Sequence, residues 1–130
     1  CRGTFTVGPN SNHIGLRLSP GKGAALPMRE ASGEILSRGV PIGAVEVPAG
    51  NELLVLHRGR GVTAGYPVLA VVTSVGLSRL GQARPGQSVT FVRTSVADAV
   101  AEARAQQLQI DRLRQRLSAV LETHGLRPAS

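Results

Sequence analysis

Over most of the chain apolar positions fall in short runs broken by Gly, Pro and Asn, and only toward the C-terminus does the spacing lengthen. Thr4-Phe5-Thr6-Val7 is a β-prone run that stops at Gly8-Pro9-Asn10, a cluster of turn formers. Ile14-Gly15-Leu16-Arg17-Leu18 alternates with period two, the pattern of a strand with one buried face. Ala44-Val45-Glu46-Val47-Pro48 runs into the turn Ala49-Gly50-Asn51, and the apolar run Leu53-Leu54-Val55-Leu56 follows, so the two predict a hairpin. Tyr66-Pro67-Val68-Leu69-Ala70-Val71-Val72 is apolar throughout and predicts a core strand covered on both faces. Ser78 to Gln82 predicts one helical turn, Arg84-Pro85-Gly86-Gln87 a type II turn, and Ser88 to Val92 a last strand. Residues 19 to 33 read as a surface loop. Many short strands with close turn signals predict a mainly β fold, a barrel or a sandwich.

From Ser95 the period becomes helical. Asp98 stands three residues after Ser95, as in a capping box, and no Gly or Pro recurs before Gly125. Ala103, Ile110 and Leu117 recur every seven residues, with Leu113 and Val120 three after two of them, which makes one apolar stripe. The expected organisation is a β domain over 1–94, a C-terminal helix over 95–125 and a tail over 126–130. The stripe is expected to pack on the β domain, with a helix of another chain as the alternative.

Composition narrows the function classes. The 130 residues suit one globular core, and with two Phe, one Tyr and no Trp that core is built of aliphatic side chains. The net charge of +7 and pI of 11.4 raise nucleic acid and anionic membranes as partners. Both are disfavoured: of the 15 basic residues only Lys22 is lysine, the Arg are scattered, and aromatic stacking platforms are missing. Arg112-Leu113-Arg114-Gln115-Arg116 reads as a solvated helix face. The single cysteine, Cys1, excludes an internal disulfide and points to the cytoplasm. Its position allows the acylated cysteine of a lipoprotein, but the strand that follows favours a chain that starts mid-gene. No apolar run is long enough to span a bilayer. His13, His57 and His124 lack metal-ligand spacing, and no nucleophile elbow or phosphate loop is present. Arg58-Gly59-Arg60-Gly61 suits either backbone contact with an anion or a hairpin loop.

Four stretches resemble the C-terminal part of the allophanate hydrolase subunit 2 family, also called the biotin-dependent carboxyltransferase family, to which the C subunit of 5-oxoprolinase and the kinase A inhibitor antagonist belong. They are Val7 to Leu18, with its Asn12-His13-Ile14-Gly15 and Leu16-Arg17-Leu18; Glu34 to Pro48; Val62-Thr63-Ala64-Gly65-Tyr66-Pro67 with the apolar run to Val72; and Leu77 to Phe91, with Arg84-Pro85-Gly86. The resemblance implies a cyclophilin-like β-barrel that works beside a homologous barrel subunit or a missing N-terminal half. It implies an amide-processing complex of the ATP-dependent 5-oxoprolinase or the urea/allophanate carboxyltransferase type, with a small amide or lactam substrate. No cofactor is expected on this chain, while ATP or biotin would be used by partner subunits.

On that resemblance Glu46 is the candidate catalytic base, and Asn12, Arg17, Thr63 and Tyr66 are the candidate substrate-binding residues. Arg17 suits a substrate carboxylate, because its fork matches that group. The chain departs from the family pattern at four positions. Arg38 replaces an acidic residue, Glu46 a glutamine, Gly59 an aspartate and Val62 a threonine. These departures keep a second reading open, a non-catalytic regulatory or protein-binding module such as a kinase-inhibitor antagonist. A homo-oligomer is compatible with either.

Overall fold

The computed structural model describes residues 3–27 and 35–126, so Cys1, most of the second half of the expected loop over 19–33, Glu34 and the end of the expected tail lie outside the described residues. Eight strands and two helices follow in the order β1 (Thr4–Val7), β2 (Gly15–Pro20), β3 (Arg38–Gly39), β4 (Ala44–Glu46), β5 (Leu53–Leu56), β6 (Thr63–Ala64), β7 (Val68–Val71), α1 (Ser74–Leu80), β8 (Ser88–Thr90) and α2 (Val96–Thr123). Six strands form one antiparallel sheet in the order β7-β4-β5-β2-β1-β8, and β3 pairs with β6 as a separate two-stranded ribbon. The chain is thus mainly β with a C-terminal helix.

Period-two alternation sorts the side chains into two clusters. Phe5, Val7, Leu16, Leu18, Val45, Val47, Leu53 and Val55 gather on one face with Leu80 of α1. Residues one step along, Ala44 and Leu56, join Val40 on the other, with Leu54, Val68 and Ala64 of the ribbon packed against them. Phe5 meets Phe91 edge to face at 5.9 Å between ring centroids, a geometry aromatic pairs favour. The turn at 84–87 closes through the Gln87 N–H donating to the Arg84 carbonyl at 3.0 Å, and Gly86 takes the positive φ of 86° that a type II turn requires there.

The run Tyr66–Val72 forms a strand in a different place from the one its composition predicts. As β7 it pairs with β4 alone, at the edge of the sheet, and Leu69 and Val71 are 42% and 53% exposed. The strands buried most completely are instead β4 and β5, which have neighbours on both sides. Apolar content alone fixes neither how far a strand is covered nor its rank in the sheet order. β7 and β8 each have one hydrogen-bonded neighbour among the described residues, so the sheet has two edges there. The helical turn near Ser78 begins earlier, at Ser74, because Thr73 caps it by accepting from the Gly76 N–H.

The chain divides into two units after Arg93. In the second, Ser95 caps α2 by accepting from the Asp98 N–H at 3.1 Å, and the helix runs uninterrupted for 28 residues. No residue of α2 is buried. Its apolar stripe is present, and within it Leu113 and Leu117 are 62% and 59% exposed. No helix among the described residues is long and apolar enough to cross a membrane.

The two-face core makes opposite demands on leucines of equal size. Leu18, which is fully buried, is expected to lose roughly 2–5 kcal/mol of stability on replacement by Ala, through lost burial and an unfilled cavity. Leu69→Ala at the exposed edge is expected to change stability by less than about 1 kcal/mol. Equilibrium denaturation of both variants checks the contrast, and equal losses would contradict the strand order.

Candidate functional site

Cross-strand register places the candidate residues more tightly than their spacing along the chain. Leu54 of β5 is paired with Arg17 of β2 on one side and with Glu46 of β4 on the other. Glu46 is paired in turn with Val68 of β7. Residues directly opposite one another share a face, so Arg17, Leu54, Glu46 and Val68 form one file across four strands. The Arg17 and Glu46 backbones lie two strand spacings apart, or about 10 Å. Between Val45 and Glu46 the register to β7 shifts, since Val45 opposes Ala70 while Glu46 opposes Val68. Such irregularities re-aim side chains locally.

Glu46 is the one buried charged residue among those described, at 1% exposure, and its Oε1 has no hydrogen-bond partner. It alternates with Ala44, so it shares the face of the second cluster, to which Ala64 of the β3–β6 ribbon and Val40 beside it contribute. Burial raises its carboxyl pKa above the ordinary 4.5, and the positive charge of Arg38 on β3 acts in the opposite direction. Two departures from the family pattern, an arginine for an acid and a glutamate for an amide, thus influence each other here. An unpaired buried carboxyl is costly and is a mark of functional sites.

Arg17 is partly exposed and forms an ion pair with Glu52, a residue that the sequence pattern does not single out. The hairpin predicted at 49–51 contains the only signal for it, because Glu52 leads directly into Leu53, the partner of Leu18. The Arg17 backbone is clamped by Ser11, whose Oγ accepts from the Arg17 N–H at 3.0 Å. Asn12 is exposed and shapes the loop entering β2, with its Oδ1 accepting from the Ile14 N–H at 2.9 Å. Thr63 is exposed on the ribbon opposite Gly39. Tyr66 is half-buried and precedes Pro67, whose carbonyl accepts from the Val47 N–H at 3.0 Å, so it adjoins the Glu46 step. Register therefore brings together Arg17, Glu46 and the Tyr66 segment, while Asn12 serves the loop ahead of β2.

His57 is half-buried, and its buried Nε2 atom lacks a hydrogen-bond partner. Burial lowers its pKa below the ordinary 6.5. It lies against the end of α1, where a Cβ added to Gly81 would stand 4.0 Å from the imidazole Cε1. In the Arg58–Gly61 loop, Gly59 donates its N–H to the His13 carbonyl at 3.0 Å, and a Cβ there would approach that carbonyl oxygen to 2.8 Å. The aspartate of the family pattern has no room in this backbone. Among the described residues no three His, Cys, Asp or Glu side chains gather where they could hold a metal.

The chain is similar to several known proteins. Residues 1–93 match the family model described as carboxyltransferase domain, subdomain A and B. The chain is 32% identical over 116 residues to the C subunit of 5-oxoprolinase from Escherichia coli, covering 89% of this chain and 36% of that protein. It is 29% identical over 113 residues to the same subunit from Haemophilus influenzae, covering 87% of this chain and 35% of that protein. The chain thus spans about a third of the length of these curated relatives. Among solved structures, the urea carboxylase of Kluyveromyces lactis superposes with a TM-score of 0.73 at 25% identity, over 84% of this chain and 10% of that one.

The pH dependence of stability tests the state of Glu46. Its folded pKa is raised, so the associated stability is present in full below the unfolded value and is lost as pH rises through the folded value. Glu46→Gln removes that dependence, and its stability relative to the wild type is expected to grow as pH rises from the ordinary carboxylate range. Urea unfolding of both proteins across pH measures this, and a difference that stays constant with pH would refute it.

Proposed function

This chain belongs to the carboxyltransferase domain family, subdomains A and B, and from that premise we propose that it forms part of the small-substrate cleft of an amide-processing enzyme complex, of the 5-oxoprolinase or urea carboxyltransferase type. The buried, unpartnered Oε1 of Glu46 carries the reading. A carboxyl whose pKa burial has raised holds or accepts a proton closer to neutral pH than an exposed one does, as a general acid or base on an amide nitrogen requires. The remaining wall of the cleft comes from a homologous barrel subunit or from the two-thirds of the relatives' length that this chain does not span. In this reading the six-stranded sheet is one part of a cyclophilin-like barrel.

Each candidate residue then has a task. Arg17 exchanges Glu52 for a substrate carboxylate, which its planar fork binds equally well. Thr63 and the Asn12 amide hydrogen-bond the substrate's amide, and Tyr66 flanks it. ATP or biotin chemistry belongs to partner subunits, and Arg17, Glu46 and Tyr66 orient the substrate and move its proton.

A second reading, a non-catalytic regulatory or protein-binding module, draws on the Arg17–Glu52 pair, because a guanidinium already neutralised within the chain is a weaker trap for a small anion. Reconstitution with the partner subunits distinguishes the two. ATP-dependent cleavage of 5-oxoproline, or carboxyl transfer to urea, is expected from the intact complex. Glu46→Ala, which removes the carboxyl without installing the glutamine of the family pattern, is expected to reduce kcat by about 10²–10⁴ with little change in KM. Full turnover by that variant would remove Glu46 from the chemistry, and no turnover of either substrate by the wild-type complex would leave the binding module.

A further inference from the structure

We propose that α2 pairs with the same helix of a second copy of this chain as an antiparallel two-stranded coiled coil. The proposal is independent of the substrate reading, since α2 lies outside the residues that match the family model.

The period of the stripe is the first argument. With Val96 at position a of a heptad, Ala103, Ile110 and Leu117 are the following a residues, and Ala99, Gln106, Leu113 and Val120 are the d residues. Over four heptads every a and d position except Gln106 is apolar, which keeps a seam facing a single partner helix. The seam is open: Leu113 and Leu117 are 62% and 59% exposed, and no residue of α2 is buried. Leu108 falls at position f, outside the seam, and takes no part.

The distribution of side-chain size selects the orientation. The first half of the seam is small, with Ala99 and Ala103, and the second half is large, with Ile110, Leu113 and Leu117. A parallel pair would stack Ala on Ala at one end and Leu on Leu at the other, so no single helix separation would suit both ends. Run antiparallel about a centre near residue 108, Ala99 faces Leu117 of the second copy and Ala103 faces its Leu113. These two layers each hold one small and one large side chain, the outer layer sets Val96 against Val120, and the central one sets Gln106 against Ile110, so no layer stacks Ala on Ala or Leu on Leu.

Charge agrees with size. Glu102 and Arg116 both occupy position g, and in antiparallel coiled coils g faces g, so Glu102 of each copy meets Arg116 of the other. Arg114 at position e faces the uncharged Val100, and Gln107 and Gln109 meet their own counterparts near the centre, so no like charges are opposed. The acidic first turn, which contains Asp98, comes beside the basic Arg112 to Arg116 segment, and the two helix dipoles oppose each other favourably.

The whole 130-residue chain, carrying Cys1→Ser, is the material for the test. Light scattering or sedimentation at tens of micromolar is expected to show a dimer. Leu113→Lys is expected to raise its dissociation constant at least about 100-fold, with the β unit's unfolding midpoint unchanged. In the antiparallel pair the two Ala99 positions are 18 residues out of step with each other, about 27 Å along the axis. Ala99→Cys alone therefore forms no disulfide, whereas Ala99→Cys combined with Leu117→Cys links the two copies at both ends. A monomeric wild type, a dimer indifferent to Leu113→Lys, or efficient cross-linking through Ala99→Cys alone would each overturn the proposal; the first would assign the seam to another surface and the last to a parallel pair.

Discussion

Strand β5 is hydrogen-bonded along both edges, and its register with β2 and β4 decides which side chains share a face. Leu53 and Val55 point into the main cluster beside Phe5 and Leu18, and that burial holds the strand in place. With those two inward, Leu54 must face the other way, and its two partners, Arg17 and Glu46, must face that way with it. A slip of one residue would exchange the faces, exposing the aliphatic core and moving the carboxyl into it. The position of the candidate site is thus a by-product of aliphatic packing.

Local signals carry much of the secondary structure. The strand at Thr4–Val7, the hairpin through Leu53–Leu56, the turn at Arg84–Gln87 and the capped start at Ser95 each rest on adjacent residues, and each stands where those residues put it. The ribbon of Arg38–Gly39 and Thr63–Ala64 is illegible in the chain, because strands of two residues are too short to show a period. The edge position of β7 is illegible for a different reason. Strand order depends on contacts between distant segments, and the apolar run at Val68–Val71 gives no sign of which neighbours it has.

The site shows the same division. Glu46, Arg17 and Tyr66 stand out through a resemblance of motif, but nothing in the chain order indicates that Leu54 lies between the first two or that Glu52 occupies the guanidinium. Arg38 and Glu46 are eight positions apart in sequence and differ from the family pattern in opposite electrical senses. Their proximity gives that double departure a physical meaning: the arginine partly offsets the cost of a carboxylate where the pattern has a neutral amide. Gly59 is a departure of another kind, in which backbone contact with His13 excludes any side chain.

The scarcity of aromatic residues has a practical side. The chain has no tryptophan, and Tyr66 is its only tyrosine. Near-ultraviolet emission therefore arises from one phenol, in the segment whose backbone is bonded beside Glu46. The protein contains a built-in optical reporter at the candidate cleft, and occupancy of that region can be followed on the unlabelled chain without introducing a dye.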